Sequence, residues 1–244
     1  MSEANPATAA PHDAAPEDAA RAGAAAEASA ADAPRRPRRG RPPAFDRAEA
    51  LAAATRLFWQ LGYEATSVTD LTAAMGIRPG SLYAAFGDKR SLFEEVVRQY
   101  GRSPVGAFVT VALAEEPTAY GAFARILREA AAVYPDPSHP AGCLVISAAT
   151  NVTPQDAGVQ AQLRELRNGN LRTFEARLRQ AVEDGELPPG ADPKALAGYF
   201  GTVLQGMSQQ ARDGAPAADL ARTAELALRA WPCALGRTAP PPAR

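Results

Sequence analysis

Cysteine and histidine are almost absent. Two of each occur in 244 residues: Cys143 and Cys233, His12 and His139. Two cysteines cannot build a disulfide framework, which points by default to a reducing, cytoplasmic setting. So few sulfur and imidazole ligands leave nothing for a metal cluster. Long apolar runs are also missing. No stretch approaches ~18 consecutive large apolar residues, so no membrane span is expected. The first residues lack the basic start and leucine-rich core of a secretory signal. No Gly-rich phosphate loop follows a strand, no Gly-x-Ser-x-Gly elbow is present, and the carboxylates are scattered. Neither turnover nor a cofactor is expected.

What the chain has is an uneven distribution of charge. The formal net charge is only −1, from 26 Lys+Arg and 27 Asp+Glu. Residues 1–34 carry a net −5, residues 35–100 a net +4, and the remainder is neutral. A basic middle segment points to a polyanionic partner for that piece alone. Residues 1–34 contain no Leu, Ile, Val or aromatic side chain. They cannot bury enough apolar surface to offset ordering entropy, so residues 1–43 are expected to be a disordered acidic tail followed by a basic arm. The arm reads Arg-Arg-Pro-Arg-Arg-Gly-Arg-Pro-Pro over 35–43, too rich in proline for a helix.

From Phe45 onward the periodicity is helical and no convincing alternating strand appears, which predicts an all-α protein. Leu51, Ala54, Leu57, Phe58 and Leu61 mark a first helix stopped by Gly62. Ser67 is the expected N-cap of a second, with Asp70 completing a carboxylate variant of the capping box. Gly76 ends it. Pro79 suits the first turn of a short third helix, and Asp88 caps a fourth expected to run past Gly101. Further helices are expected near 118–134, 141–151, 155–184, 192–212 and 216–231, nine in all. The last residues, 233–244, read as a loose tail.

Residues 66–89 carry the functional signal. Two short helices meet at Gly76, where glycine permits a positive φ. Ile77 and Leu82 can pack back onto Leu71 and Met75, which gives helix-turn-helix geometry. The second helix then leads with Arg78, Pro79, Gly80, Ser81 and Tyr83, and a helix N-terminus of this kind fits the DNA major groove. Lys89 opens the next helix, where the dipole and a cation together suit a phosphate. The alternative is an ordinary pair of core helices.

The surroundings favour the first reading. Ala54-x-x-Leu57-Phe58-x-x-x-Gly62-Tyr63-x-x-Thr66-Ser67-Val68, followed by Leu71, Gly76, Ser81-Leu82-Tyr83-x-x-Phe86, Lys89 and Leu92, resembles the DNA-binding domain of the TetR family of bacterial transcriptional regulators. The resemblance spans about residues 46–98. Thr72 stands where the family often has Ala, and Arg78 where a Ser or Thr cap is common. The resemblance implies a homodimer of about nine helices per chain. Its N-terminal domain, here 44–100, would bind double-stranded DNA through Thr66, Ser67, Arg78, Pro79, Gly80, Ser81, Tyr83 and Lys89. A C-terminal half, here 101–232, would bind a small-molecule effector and dimerise. Repression relieved by ligand is the family habit. Activation, redox-responsive regulation and a purely architectural DNA-binding role remain open alternatives.

Three further readings concern the flanks. Arg39-Gly40-Arg41-Pro42 looks like the core of an AT-hook, in which Arg39 and Arg41 would enter a narrow minor groove; a solvated linker is the alternative. Leu196, Phe200, Val203 and Met207, with Leu220 and Ala227, form two stripes that suit a four-helix dimer interface, or equally an intrachain core. Phe108, Phe123, Leu127, Tyr134, Asn170 and Phe174, with Leu144, Ile146 and Asn151, are candidates for an effector cavity. Cys143 lies at an expected helix start and reads first as a small buried hydrophobe; a thiol whose pKa the helix dipole lowers is the alternative.

Overall fold

Local chemistry sets the first four helices. α1 (Arg47–Leu61) is capped by Asp46, whose Oδ1 accepts from the Ala48 and Glu49 N–H groups at 2.7 and 3.2 Å. α2 (Val68–Met75) opens on the reciprocal Ser67–Asp70 box and closes at Gly76 with φ +65°. Beyond Gly76 the Ile77 N–H returns to Thr72 O at 3.0 Å, satisfying a carbonyl that the helix end would orphan. α3 (Pro79–Phe86) begins on proline, and Asp88 caps α4 (Lys89–Tyr100) through Ser91 N at 2.6 Å. The computed structural model describes residues 45–232. Residues 1–44 and 233–244, and with them Arg39 and Arg41, lie outside the described residues.

Two expectations about the helices need correction. α4 does not continue past Gly101. Ser103 Oγ accepts from Gly106 N at 3.2 Å, and Pro104, which has no N–H, starts a separate α5 (Pro104–Glu115). The helix expected over 141–151 shrinks to α7 (Leu144–Ser147). Its continuation is cut off because the Ala148 carbonyl turns to accept the Tyr63 N–H at 2.6 Å. The described residues therefore hold ten α-helices rather than nine, completed by α6 (Ala119–Val133), α8 (Ala157–Glu183), α9 (Pro193–Arg212) and α10 (Ala217–Leu228). A 3₁₀ turn, Pro154–Asp156, leads into α8. No strand occurs among the described residues. No described helix is long and apolar enough to cross a membrane.

Two hydrophobic clusters organise these helices. The first joins α1–α4 around Phe58 and Phe93, whose rings meet edge-on at 5.0 Å. It also takes in Leu144, Ala148, Ala149, Val159 and Leu163, so α7 and the start of α8 are built into the core of the N-terminal helices. The second joins α5, α6, α8, α9 and α10 around Phe123, which packs on Phe174 and Phe200 at 5.0 and 4.8 Å. Burial of these aromatic side chains, at roughly 1.5–3 kcal/mol each, is the main source of cohesion. Across the two clusters, Arg212 donates to the Trp59 and Gln60 carbonyls at the end of α1, at 3.1 and 3.2 Å.

At the α4–α5 corner the chain passes so close to itself that a Cβ on Gly106 would lie 2.0 Å from the Tyr100 carbonyl oxygen. No side-chain movement relieves a clash with backbone. Gly106→Ala should therefore destabilise the protein by about 1–3 kcal/mol, the usual cost of overpacking. Thermal denaturation checks this, and an unchanged Tm would show that the corner is looser than described.

Candidate nucleic-acid interface

α2 and α3 are locked by their inner faces. Leu71 and Leu82 are fully buried, and Met75 and Phe86 nearly so. Arg47 braces the far end of α3: its guanidinium lies 4.5 Å above the Phe86 ring and holds Glu95 of α4 at 2.6 and 2.7 Å. With that face spent, the opposite face of α3 looks outward. Arg78, Pro79, Gly80 and Ala84 are exposed, and Tyr83 is 51% exposed, unusual for an aromatic residue in a packed domain. Ser81 is half-buried between them.

The leading turn of α3 is chemically open. No side chain caps it, and Pro79 contributes no N–H. A Cβ on Gly80 would meet nothing within 4 Å, so the protein's own packing does not demand glycine there. A slim, uncapped N-terminus flanked by Arg78 and the Tyr83 hydroxyl is suited to approach a groove and to meet phosphate oxygens.

Three of the expected contacts are placed differently. Thr66 is fully buried and its hydroxyl donates to Gly62 O at 2.6 Å, so its side chain is closed to a nucleic acid. Ser67 is exposed, but its Oγ accepts from Asp70 N at 3.0 Å and donates to Asp70 Oδ2 at 2.6 Å. These bonds hold the Asp70 carboxyl below its ordinary range. The Lys89 ammonium sits 4.2 Å over the Tyr63 ring, half-buried, and burial lowers its pKa. It faces the protein rather than standing free for a phosphate. Arg78, Pro79, Gly80, Ser81 and Tyr83 remain as one continuous edge. Thr69, the second residue of α2, is also exposed.

A second site lies deeper. A cavity of about 510 Å³ opens between α4, α5, α7, α8 and α9. Of the expected lining, Phe108, Tyr134, Asn170, Phe174 and Ile146 border it. Phe123 and Leu127 do not: both belong to the packed core under α6. Leu144 is buried in the N-terminal cluster, and Asn151 is exposed outside the cavity. Leu166 and Asn170, both exposed on α8, border this space. Sequence reasoning missed Tyr100 and Arg167. Arg167 follows Leu163 by four residues on the inner face of α8, and that register was its signal.

Cys143 also borders the cavity, but the helix that follows it has only four residues. Burial pushes its thiol pKa up, and the Tyr100 hydroxyl donates to Sγ at 3.4 Å. This placement fits the buried small hydrophobe and not the dipole-activated thiolate that was its alternative. Likewise Phe200, Met207, Leu220 and Ala227 are buried within the chain's own core, with Leu196 and Val203 packed half-buried against it. Those stripes face inward and are not a free interface.

Helix-turn-helix geometry with an exposed second helix defines a DNA-binding protein. Comparisons with known proteins place it more narrowly. Residues 50–96 match the family described as bacterial regulatory proteins, tetR family, and residues 122–225 match the tetracyclin repressor-like C-terminal domain. The chain is 37% identical over 194 residues to the HTH-type transcriptional repressor ComR of Escherichia coli (strain K12), covering 80% of this chain and 92% of ComR. It is 31% identical over 188 residues to the repressor BdcR of the same strain, covering 77% and 90% respectively. Among solved structures, a cysteine mutant of the TetR family transcriptional regulator CifR, complexed with 26bp double-strand operator DNA, superposes with a TM-score of 0.75. It is 42% identical and covers 79% of this chain and 100% of its own. The chain belongs to the TetR family of bacterial transcriptional regulators.

Replacing Ser67 by alanine separates its two roles. Ser67→Ala should lower stability by about 0.5–2 kcal/mol through loss of the cap and leave DNA affinity unchanged well below Tm. A gel shift that weakens with stability intact would return Ser67 to the contact set.

Proposed function

We propose that this protein is a transcriptional repressor that binds an inverted-repeat operator as a homodimer and lets go when a small molecule enters the cavity. The observation that carries the reading is the presentation of α3: Leu82 and Phe86 anchor it while Arg78, Gly80 and Tyr83 stand clear. Its relatives ComR and BdcR are named as repressors, and the CifR structure holds operator DNA, which supports repression over activation. The setting is the cytoplasm, where the chromosome is.

Dimerisation has a physical motive, because one short helix reads few base pairs and a two-fold pair reads a palindrome. The face best suited to it is the outer side of α9 and α10. Ala195, Tyr199, Thr202 and Gly206 form an exposed stripe at helical spacing on α9, beside Leu226 of α10, which is 61% exposed. The arm arginines Arg39 and Arg41 would add phosphate or minor-groove contacts.

The effector then acts by population shift, favouring a spacing of the two heads that the operator cannot accept. Tyr83→Ala should weaken binding to DNA recovered with the protein by about 1–3 kcal/mol, with salt dependence nearly unchanged. Wild-type affinity in a gel shift, with normal helicity and dimer mass, would contradict the assignment of α3 as the reading element.

A further inference from the structure

The cavity is not simply apolar. Arg167 faces it from the inner side of α8, half-buried. Its Nη1 donates to the Val145 carbonyl at 2.8 Å, and no carboxylate among the described residues pairs with it. The other charges on the wall are Arg98 and Arg102, both exposed at the mouth, and Glu94, whose carboxylate already accepts from Arg90 Nε at 3.1 Å. The wall therefore carries an excess of positive charge. Elsewhere on the wall, Val97, Phe108, Phe174 and Leu204 offer an apolar surface. A volume of about 510 Å³ lies within the ~300–1,000 Å³ common for small-molecule sites.

Resting on the effector reading above, we propose that the ligand is a small organic anion. Its carboxylate lies on the free edge of the Arg167 guanidinium, and its apolar body lies against Phe108, Phe174 and Leu204. A guanidinium fork matches a carboxylate in geometry as well as charge, which makes the pair selective over neutral molecules of the same shape. The same contact reaches the DNA-binding helices. Arg167 holds the Val145 carbonyl in α7, and the Ala148 carbonyl at the end of α7 holds Tyr63 N at 2.6 Å. An anion that draws Arg167 away from Val145 perturbs the element on which α1 ends.

The test uses the full-length protein with hexanoate, benzoate and mandelate, each beside its neutral amide, in calorimetric titration and in release of bound DNA. The three carboxylates are expected to bind and to release DNA, and the amides to be weaker by about tenfold or more, the loss of a charge-assisted pair. Arg167→Gln should remove the preference for carboxylate over amide. Arg167→Lys should restore part of it, and Arg172→Gln on the solvent face of α8, whose partner is Glu165, should leave it unchanged. Helicity by circular dichroism accompanies each variant. Amides that bind as well as acids, undiminished acid binding by Arg167→Gln, or no binding of any acid to wild type would overturn the proposal. If amides alone release DNA, the anion assignment fails and the effector reading stands. If the acids bind through Arg167 without releasing DNA, the site stands and the effector reading fails.

Discussion

Tyr63 closes the corner between α1 and α2, and the placement of the reading helix depends on it. Its N–H donates to Ala148 O at 2.6 Å and its hydroxyl donates to Asp156 Oδ1 at 3.0 Å. Its ring stacks on Phe58 at 6.1 Å, meets Phe93 edge-on at 5.1 Å and carries the Lys89 ammonium 4.2 Å above it. Burial and the neighbouring Asp156 keep the phenol protonated far above its ordinary range. One residue thus ties α1, α4, α7 and the entry to α8 together. α3 has no direct stake in the C-terminal core, so its orientation is inherited from this corner.

That arrangement explains how a cavity and a DNA-reading edge can be coupled without sharing a residue. α7 has one flank in the cavity, through Val145 and Ile146, and the other in the N-terminal cluster, through Leu144 and Ala148. A four-residue helix cannot deform internally by much, so a push on one flank moves the other. Close-packed interiors transmit such displacements rather than absorb them. The ligand need only prefer one placement of α7; its differential affinity for the two placements sets how far the equilibrium moves.

The parts of the fold that were legible in the sequence are those governed by nearest neighbours. Ser67 with Asp70, Gly76, Pro79 and Asp88 each act within one helical turn, so caps and turns of the DNA-binding helices follow directly from residue type. The failures share a different cause. Ser103-Pro104 breaks a helix that apolar periodicity carries straight through. α7 stops because a carbonyl is claimed by Tyr63, some 85 residues earlier in the chain, and no local pattern records that. Phe200, Met207, Leu220 and Ala227 form a good apolar stripe, but a stripe says only that a face is covered and not by which chain. Arg167 was hidden among fourteen basic residues of the C-terminal half, where residue type alone does not set it apart from exposed neighbours such as Arg164 and Arg172.

The central claim is that α3 is held outward and presented twice to double-stranded DNA. Selection from a random DNA pool with the wild-type protein, followed by sequencing, tests it most directly. The account predicts an inverted repeat whose half-site centres lie about 34–36 Å apart or a multiple of that, one half for each copy of α3. Recovery of unrelated sequences, or of a single unrepeated site bound by a monomer, would contradict it.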